Sequence, residues 1–452
     1  MLDLNAGALA PVADEARVAD LAVTGTIPAD LSGTLIRNGP NPFDGHFVGD
    51  DMLSWWVAPG MLHGLALHDG QASWYRNRWV RTRGWFDHFS PEVAPGDLVD
   101  QNANVNLVQH NGQLLALGEG GLPFVIDSHL ETIGGTNLGG ALTGGSALGG
   151  MTAHPKVDPA TGELIYFRAD WQEPFLRYGV IDATGQHTVD QVIDVPGPAM
   201  MHDFAITATR SLFLDLSVAY DFELLAHGAP IPLRWHDDRV ARVGITPRHG
   251  GRTQWVGIDP CFIQHVINAY DLGPDQVVLE AIRYPSFLRF DNDLGGYEAN
   301  PLGVPWRYTF TFDATGSATV QETQLDDRWV ELPHIDDSRV GRQHRYAYAV
   351  EQPTDVEMRG IIKYDSQGSP QRHLVSGGDQ NSEPIFVPRS GRDANGAEDD
   401  GWLLFCVYRA ASHTTDVVIA AAQHVDQEPV ATVHLPRRIP AGFHGIWAPR
   451  RD

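Results

Sequence analysis

The chain has 452 residues, 42% of them hydrophobic, which is ample for a sizeable buried core and long for one ordinary domain. Its 57 acidic against 32 basic residues give a formal net charge of −25, which argues against nucleic acid as a partner and against electrostatic attachment to anionic membranes. With Cys261 and Cys406 as the only cysteines, a disulfide framework and a thiolate metal site are both excluded. The first twenty residues lack a basic region followed by an uninterrupted apolar run, and no stretch approaches ~18 consecutive apolar residues. A cytoplasmic protein is expected.

In chain order, Ala13–Val23 (ADEARVADLAV) reads as a short amphipathic helix. Residues 62–80 read as a β-hairpin turning at Asp69-Gly70, a dipeptide suited to the type I′ turn. Short strand-like runs follow at 112–127, 162–171, 210–218, 276–284, 306–325, 345–351, 360–368, 384–389, 402–408 and 416–423, most of them bounded by Gly, Asp, Asn or Pro. Between them, 220–228 (YDFELLAHG) is a second short helix candidate. A glycine-rich tract, Gly134–Gly150, reads either as a surface loop or as backbone lying close to a substrate. Many short strands without alternating helices predict an all-β propeller or several sandwiches, and no composition break divides the chain.

Four histidines stand inside short apolar segments: His154 in MTAHPKV, His202 in PAMMHDF, His265 in CFIQHVINAYD and His444 in IPAGFHGIW. They are 48, 63 and 179 residues apart, so no local clip can hold a metal between them. A fold that brings distant strands to one centre is needed. An all-imidazole site suits iron, copper, nickel or zinc. Spacing alone does not separate these four from the other sixteen histidines.

Seven segments carry more information together: Leu31–Phe43 (LSGTLIRNGPNPF), Gly60–Gly64 (GMLHG), Tyr75–Thr82 (YRNRWVRT), Asn102–Gly121, Ala153–Leu164 (AHPKVDPATGEL), Ser382–Arg389 (SEPIFVPR) and Leu435–Trp447 (LPRRIPAGFHGIW). In these segments, and over nearly its whole length, the chain resembles the carotenoid cleavage oxygenase family, which includes apocarotenoid oxygenases, lignostilbene dioxygenases and retinoid isomerases. The resemblance implies one seven-bladed β-propeller domain over residues 1–452, with loops and short helices forming a cap over a non-haem Fe(II). It implies His154, His202, His265 and His444 as the iron ligands. Three of the ligands would be oriented by carboxylates, of which Glu119 in ALGEGG and Glu383 in SEPIFVPR match two. The third is expected where relatives tend to show Ser-Glu-Leu. This chain has Thr415-Asp416-Val417 there, which makes Asp416 the candidate.

The implied activity is dioxygen-dependent cleavage of a C=C bond in an apolar conjugated substrate, giving two carbonyl products. Stilbene cleavage, isomerisation on the same scaffold and a non-catalytic binding propeller are the alternatives. Lignostilbene dioxygenases hold the substrate phenol with a Lys just before the first of these glutamates and with an upstream Tyr. Here Gly118 takes the Lys position, and Trp85, Phe86 and Asp87 follow YRNRWVRT, so a carotenoid or apocarotenoid is favoured and Gly118 is expected to widen the site. Phe47, Trp55, Trp56, Trp85, Phe86, Phe204, Phe262, Phe443 and Trp447 are candidates for tunnel walls or for core packing. His63 and Asp203 are expected to make structural hydrogen bonds. The loop Phe222–Pro232 is the candidate for weak membrane-surface contact during substrate uptake.

Overall fold

The short runs punctuated by Gly and Asp become antiparallel strands, grouped into seven sheets of four or more strands and two small hairpins. The computed structural model describes residues 3–450 apart from 49–51, 94–100, 143–149, 230, 292–295, 355–356, 376 and 393–395. The sheets are the blades of a seven-bladed β-propeller. In chain order, blade 1 spans 33–79, blade 2 106–135, blade 3 156–192, blade 4 205–257, blade 5 262–324, blade 6 330–373 and blade 7 380–435.

The ring is closed from both ends of the chain. Gly445–Pro449 adds to blade 1 beside Gly33–Pro40, and Ala22–Gly25 adds to blade 7 beside Ala431–Leu435. The predicted N-terminal helix is therefore wrong: Ala16–Val18 and Ala22–Gly25 are strands. Ladder hydrogen bonds with Gln71–Trp79 and Ala431–Leu435 outweigh a weak local helical preference. The hairpin forms as expected, with Asp69 and Gly70 both at positive φ (49° and 72°), as a type I′ turn needs.

Apolar faces of neighbouring blades pack on one another, and the largest cluster runs through blades 3 to 6. Blades 1 and 7 share a second cluster and blades 6 and 7 a third. Loop 335–345 of blade 6 reaches to blades 5 and 3: Asn268 of blade 5 bonds Arg339, Gly341 and Arg342, while Arg342 pairs with Asp158 of blade 3 at 2.9 Å.

Helices are few and short. Glu223–Ala226 was expected, whereas Met52–Trp56 and Arg83–Phe89 were not. The latter carried a legible start signal, since the Thr82 hydroxyl caps it by accepting from the Trp85 N–H. No helix among the described residues is long and apolar enough to cross a membrane. Residues 143–149 of the glycine-rich tract and residue 230 of the 222–232 loop lie outside the described residues.

Candidate metal centre

Blade order explains how residues so far apart in sequence meet. His154 immediately precedes the first strand of blade 3, His202 precedes that of blade 4, His265 lies on the first strand of blade 5, and His444 leads into the closing strand of blade 1. Their ligand nitrogens all lie within 4.8 Å of one another, and all four residues are buried or nearly so. His154 Nε2 is 3.0 Å from His202 Nε2, and His265 Nε2 is 3.1 Å from His444 Nε2.

Three carboxylates fix the rings. Glu119 of blade 2 lies 2.8 Å from His202 Nδ1, Glu331 of blade 6 lies 2.5 Å from His265 Nδ1, and Glu383 of blade 7 lies 2.9 Å from His444 Nδ1. Each blade thus contributes one of the seven residues. Glu383 also accepts from the Gly445 N–H at 2.7 Å, so it holds both the ring and the backbone of its histidine. Glu331 accepts from the Tyr284 hydroxyl at 2.6 Å and from the Leu332 N–H at 2.6 Å. Leu332 has φ of +49° at a break in strand register, a strained backbone that turns Glu331 toward His265.

Asp416 is not among them. It accepts from Arg409 Nε at 2.6 Å and meets His434 Nδ1 at 2.7 Å. Its strand, Thr414–Ala421, lies beyond Gly401–Arg409 from the first strands of blade 7, and two strand spacings are ~10 Å, more than one methylene could bridge. Glu331 takes the role assigned to Asp416. Its sequence signal was an acidic residue between apolar ones, Val330-Glu331-Leu332.

Burial pushes the Glu331 and Glu383 carboxyls up, but the facing histidines outweigh it, so both are held below the usual range and are carboxylates at neutral pH. Burial and neighbouring imidazoles drive His154 well below its ordinary value. His444 is lowered by burial against the pull of Glu383, whereas at His202 the Glu119 carboxylate overcomes burial and raises it. His265 and His444 each turn Nδ1 to a carboxylate and Nε2 toward the other ring, so the two Nε2 atoms are placed to share a cation.

The donor set fits such a cation. Four imidazole nitrogens within 4.8 Å of one another, backed by carboxylates, are a donor set suited to one divalent transition-metal ion.

Beside His265 and Glu331 lies a cavity of about 150 Å³. Trp55, Trp56, Phe287 and Phe443 supply aromatic walls, and side-chain amides such as Gln264 and Asn381 are interspersed. Of the nine aromatic candidates, Trp55, Trp56 and Phe443 line this cavity. Phe204, Phe262 and Trp447 belong to the inter-blade cores, Phe47 packs under Trp55, and Trp85 and Phe86 sit on the helix Arg83–Phe89. Helix Met52–Trp56 thus helps to cover the cavity beside the histidines.

Gly118 does not widen the site as expected. A Cβ there would meet Gln101 Oε1 at 2.2 Å, and Gln101 is itself anchored on Ala103 N–H and Leu122 O. His63 bonds the Tyr75 hydroxyl at 2.9 Å in the core and, pushed by burial down to about 3, stays neutral. Sequence reasoning missed Thr152, whose hydroxyl accepts from His154 N–H at 3.1 Å and donates to His202 O at 3.4 Å.

Comparison with known proteins agrees with this geometry. The family model described as retinal pigment epithelial membrane protein, RPE65, matches residues 9–449. A carotenoid cleavage oxygenase of Mycobacterium tuberculosis is 32% identical over 98% of this chain and 97% of its own length. The crystal structure of cobalt-substituted Synechocystis apocarotenoid oxygenase superposes with a TM-score of 0.84 at 29% identity, covering 97% of each chain. That of Pseudomonas brassicacearum lignostilbene dioxygenase gives 0.86 at 26% identity, covering 99% of this chain and 98% of its own. With its propeller and a four-histidine group that fits a metal site, the chain belongs to the RPE65 family of carotenoid and apocarotenoid cleavage dioxygenases and is an enzyme.

Proposed function

We propose that this enzyme binds Fe(II) through His154, His202, His265 and His444 and cleaves one C=C bond of a carotenoid or apocarotenoid. Both atoms of dioxygen enter the products, one in each new carbonyl, so the reaction needs no external reductant. The observation that carries this reading is the convergence of four imidazole nitrogens, three with carboxylates behind them, at the wall of an aromatic-lined cavity. When bound, iron supplies neighbouring positions at which dioxygen and the alkene can be brought together.

The chain's own residues do the rest. Glu119, Glu331 and Glu383 hold the Nδ1 protons of their histidines, so each Nε2 remains a donor, and they balance cationic charge without occupying a coordination position. Trp55, Trp56, Phe287 and Phe443 exclude water and present flat apolar faces suited to a polyene. Gln101 fills the space beside Gly118, where a phenol-binding lysine would begin, which favours an apocarotenoid over a hydroxystilbene. Substrate delivery would use weak membrane-surface contact through Phe222 and Leu225, which are 46% and 49% exposed. Loss of vesicle co-flotation in a Phe222→Ser/Leu225→Ser variant is expected, and unchanged flotation would remove that route.

The test is aerobic incubation of the iron-loaded enzyme with a panel of apocarotenoids and hydroxystilbenes, with products read by mass spectrometry. Two carbonyl fragments from an apocarotenoid, with hydroxystilbenes turned over slowly or not at all, is the expected result. Faster hydroxystilbene cleavage would assign the enzyme to the stilbene branch. A geometric isomer would make it an isomerase, and unchanged ligand a binding protein.

A further inference from the structure

Asp203 follows the ligand His202 and is 2% exposed. Its carboxylate reaches three consecutive blades. Oδ1 accepts from Phe204 N–H at 2.8 Å, at the start of blade 4, and from Lys156 Nζ at 2.6 Å, on the first strand of blade 3. Oδ2 accepts from Val266 N–H at 2.8 Å, on the first strand of blade 5. Lys156 is two residues beyond His154, and Val266 directly follows His265. One buried group therefore touches the segments that bear three of the four histidines.

The local backbone is built around these contacts. The strand Phe262–Asp271 breaks register with its neighbour on both sides of Val266, between Ile263 and Val266 and again between Val266 and Asn268. Such breaks release ladder amides, and Val266 gives its N–H to Asp203. His444 is held separately, by Glu383 on its ring and by Val105 O on its N–H at 3.2 Å. A buried carboxylate is costly to desolvate unless its oxygens are bonded, and here three donors from three consecutive blades satisfy it.

We propose that Asp203 is a positioning residue of the metal centre, setting the mutual spacing of the backbones that carry His154, His202 and His265. The proposal rests on the reading that the four histidines bind a metal. Asp203→Asn keeps the shape but turns an N–H₂ group toward a backbone or ammonium donor. Misplacing three ligands together then weakens binding and distorts ligation, as loss of an outer partner typically does by about 10–100-fold.

The experiment measures Co(II) affinity by chelator competition, the visible absorption of the Co(II) protein, and thermal unfolding of the metal-free protein, for wild type, Asp203→Asn and Lys156→Met. Expected are at least ~10-fold weaker Co(II) binding and an altered ligand-field spectrum in Asp203→Asn, and a smaller weakening in Lys156→Met. Wild-type affinity and spectrum in Asp203→Asn, whatever its melting temperature, would overturn the proposal and leave Asp203 a stabilising staple. Should Asp203→Asn not fold, Lys156→Met decides by the same readouts. A wild-type protein that takes up no Co(II) would overturn the metal reading itself, and the proposal with it.

Discussion

Glu331 and Asp416 differ less in chemistry than in which strand carries them. Glu331 sits on the first strand of its blade beside His265, and Asp416 sits farther out on blade 7 among Arg409 and His434. Glu331→Gln leaves an amide where a carboxylate accepted from imidazole, Tyr284 and Leu332, so metal affinity should fall about 10–100-fold. Asp416→Asn should leave metal affinity unchanged, because it touches none of the four histidines. Chelator competition on both variants checks the pair, and the reverse order would restore Asp416. The four histidines that meet were legible because the motifs around them carry the family resemblance. Glu331 was not, because pairing partners 66 residues apart depend on blade registration that no local pattern records. Gly118 misled for a related reason: the space beside it is filled by Gln101, a residue seventeen positions earlier.

Strands were the legible elements and the N-terminal segment was not. The run 276–284 is a strand as read, because its apolar residues are bounded by turn formers and buried between neighbours. Ala16–Val18 and Ala22–Gly25 carry no such signal, since edge strands that close a ring take their conformation from the partner. The hairpin at Asp69-Gly70 lies between these extremes, with a turn written in two residues. Gly70 sits at φ +72°, and a Cβ there would also come within 3.3 Å of Ile27 O. Gly70→Ala should therefore cost ~1–2 kcal/mol, read as a lower urea midpoint. An unchanged midpoint would show that the turn relaxes freely.

Across the whole molecule, charge both solubilises and ties. The net charge of −25 makes ordering of acidic groups by arginine important between blades. Asp158 of blade 3 meets Arg248 at 3.2 Å and Arg342 at 2.9 Å, from blades 4 and 6. Burial raises its carboxyl, yet backbone and arginine contacts together hold it below the ordinary value. A carboxyl depressed on folding binds more protons in the unfolded chain, so its contribution is complete above the unfolded value of ~3.9 and is lost as pH falls through the folded one. Wild type should lose stability on acidification below about pH 4, and Asp158→Asn should lose less over that interval, read as melting temperature against pH. Parallel curves for the two proteins would remove Asp158 from the account.

The central claim, that distant blades deliver four imidazoles to one iron, is tested most directly by anomalous diffraction at the iron edge from crystals prepared anaerobically with Fe(II). The account predicts one peak within bonding distance of Nε2 of His154, His202, His265 and His444, with Glu119, Glu331 and Glu383 one bond farther out on Nδ1. No peak at that centre, or iron held by carboxylates elsewhere, would contradict it.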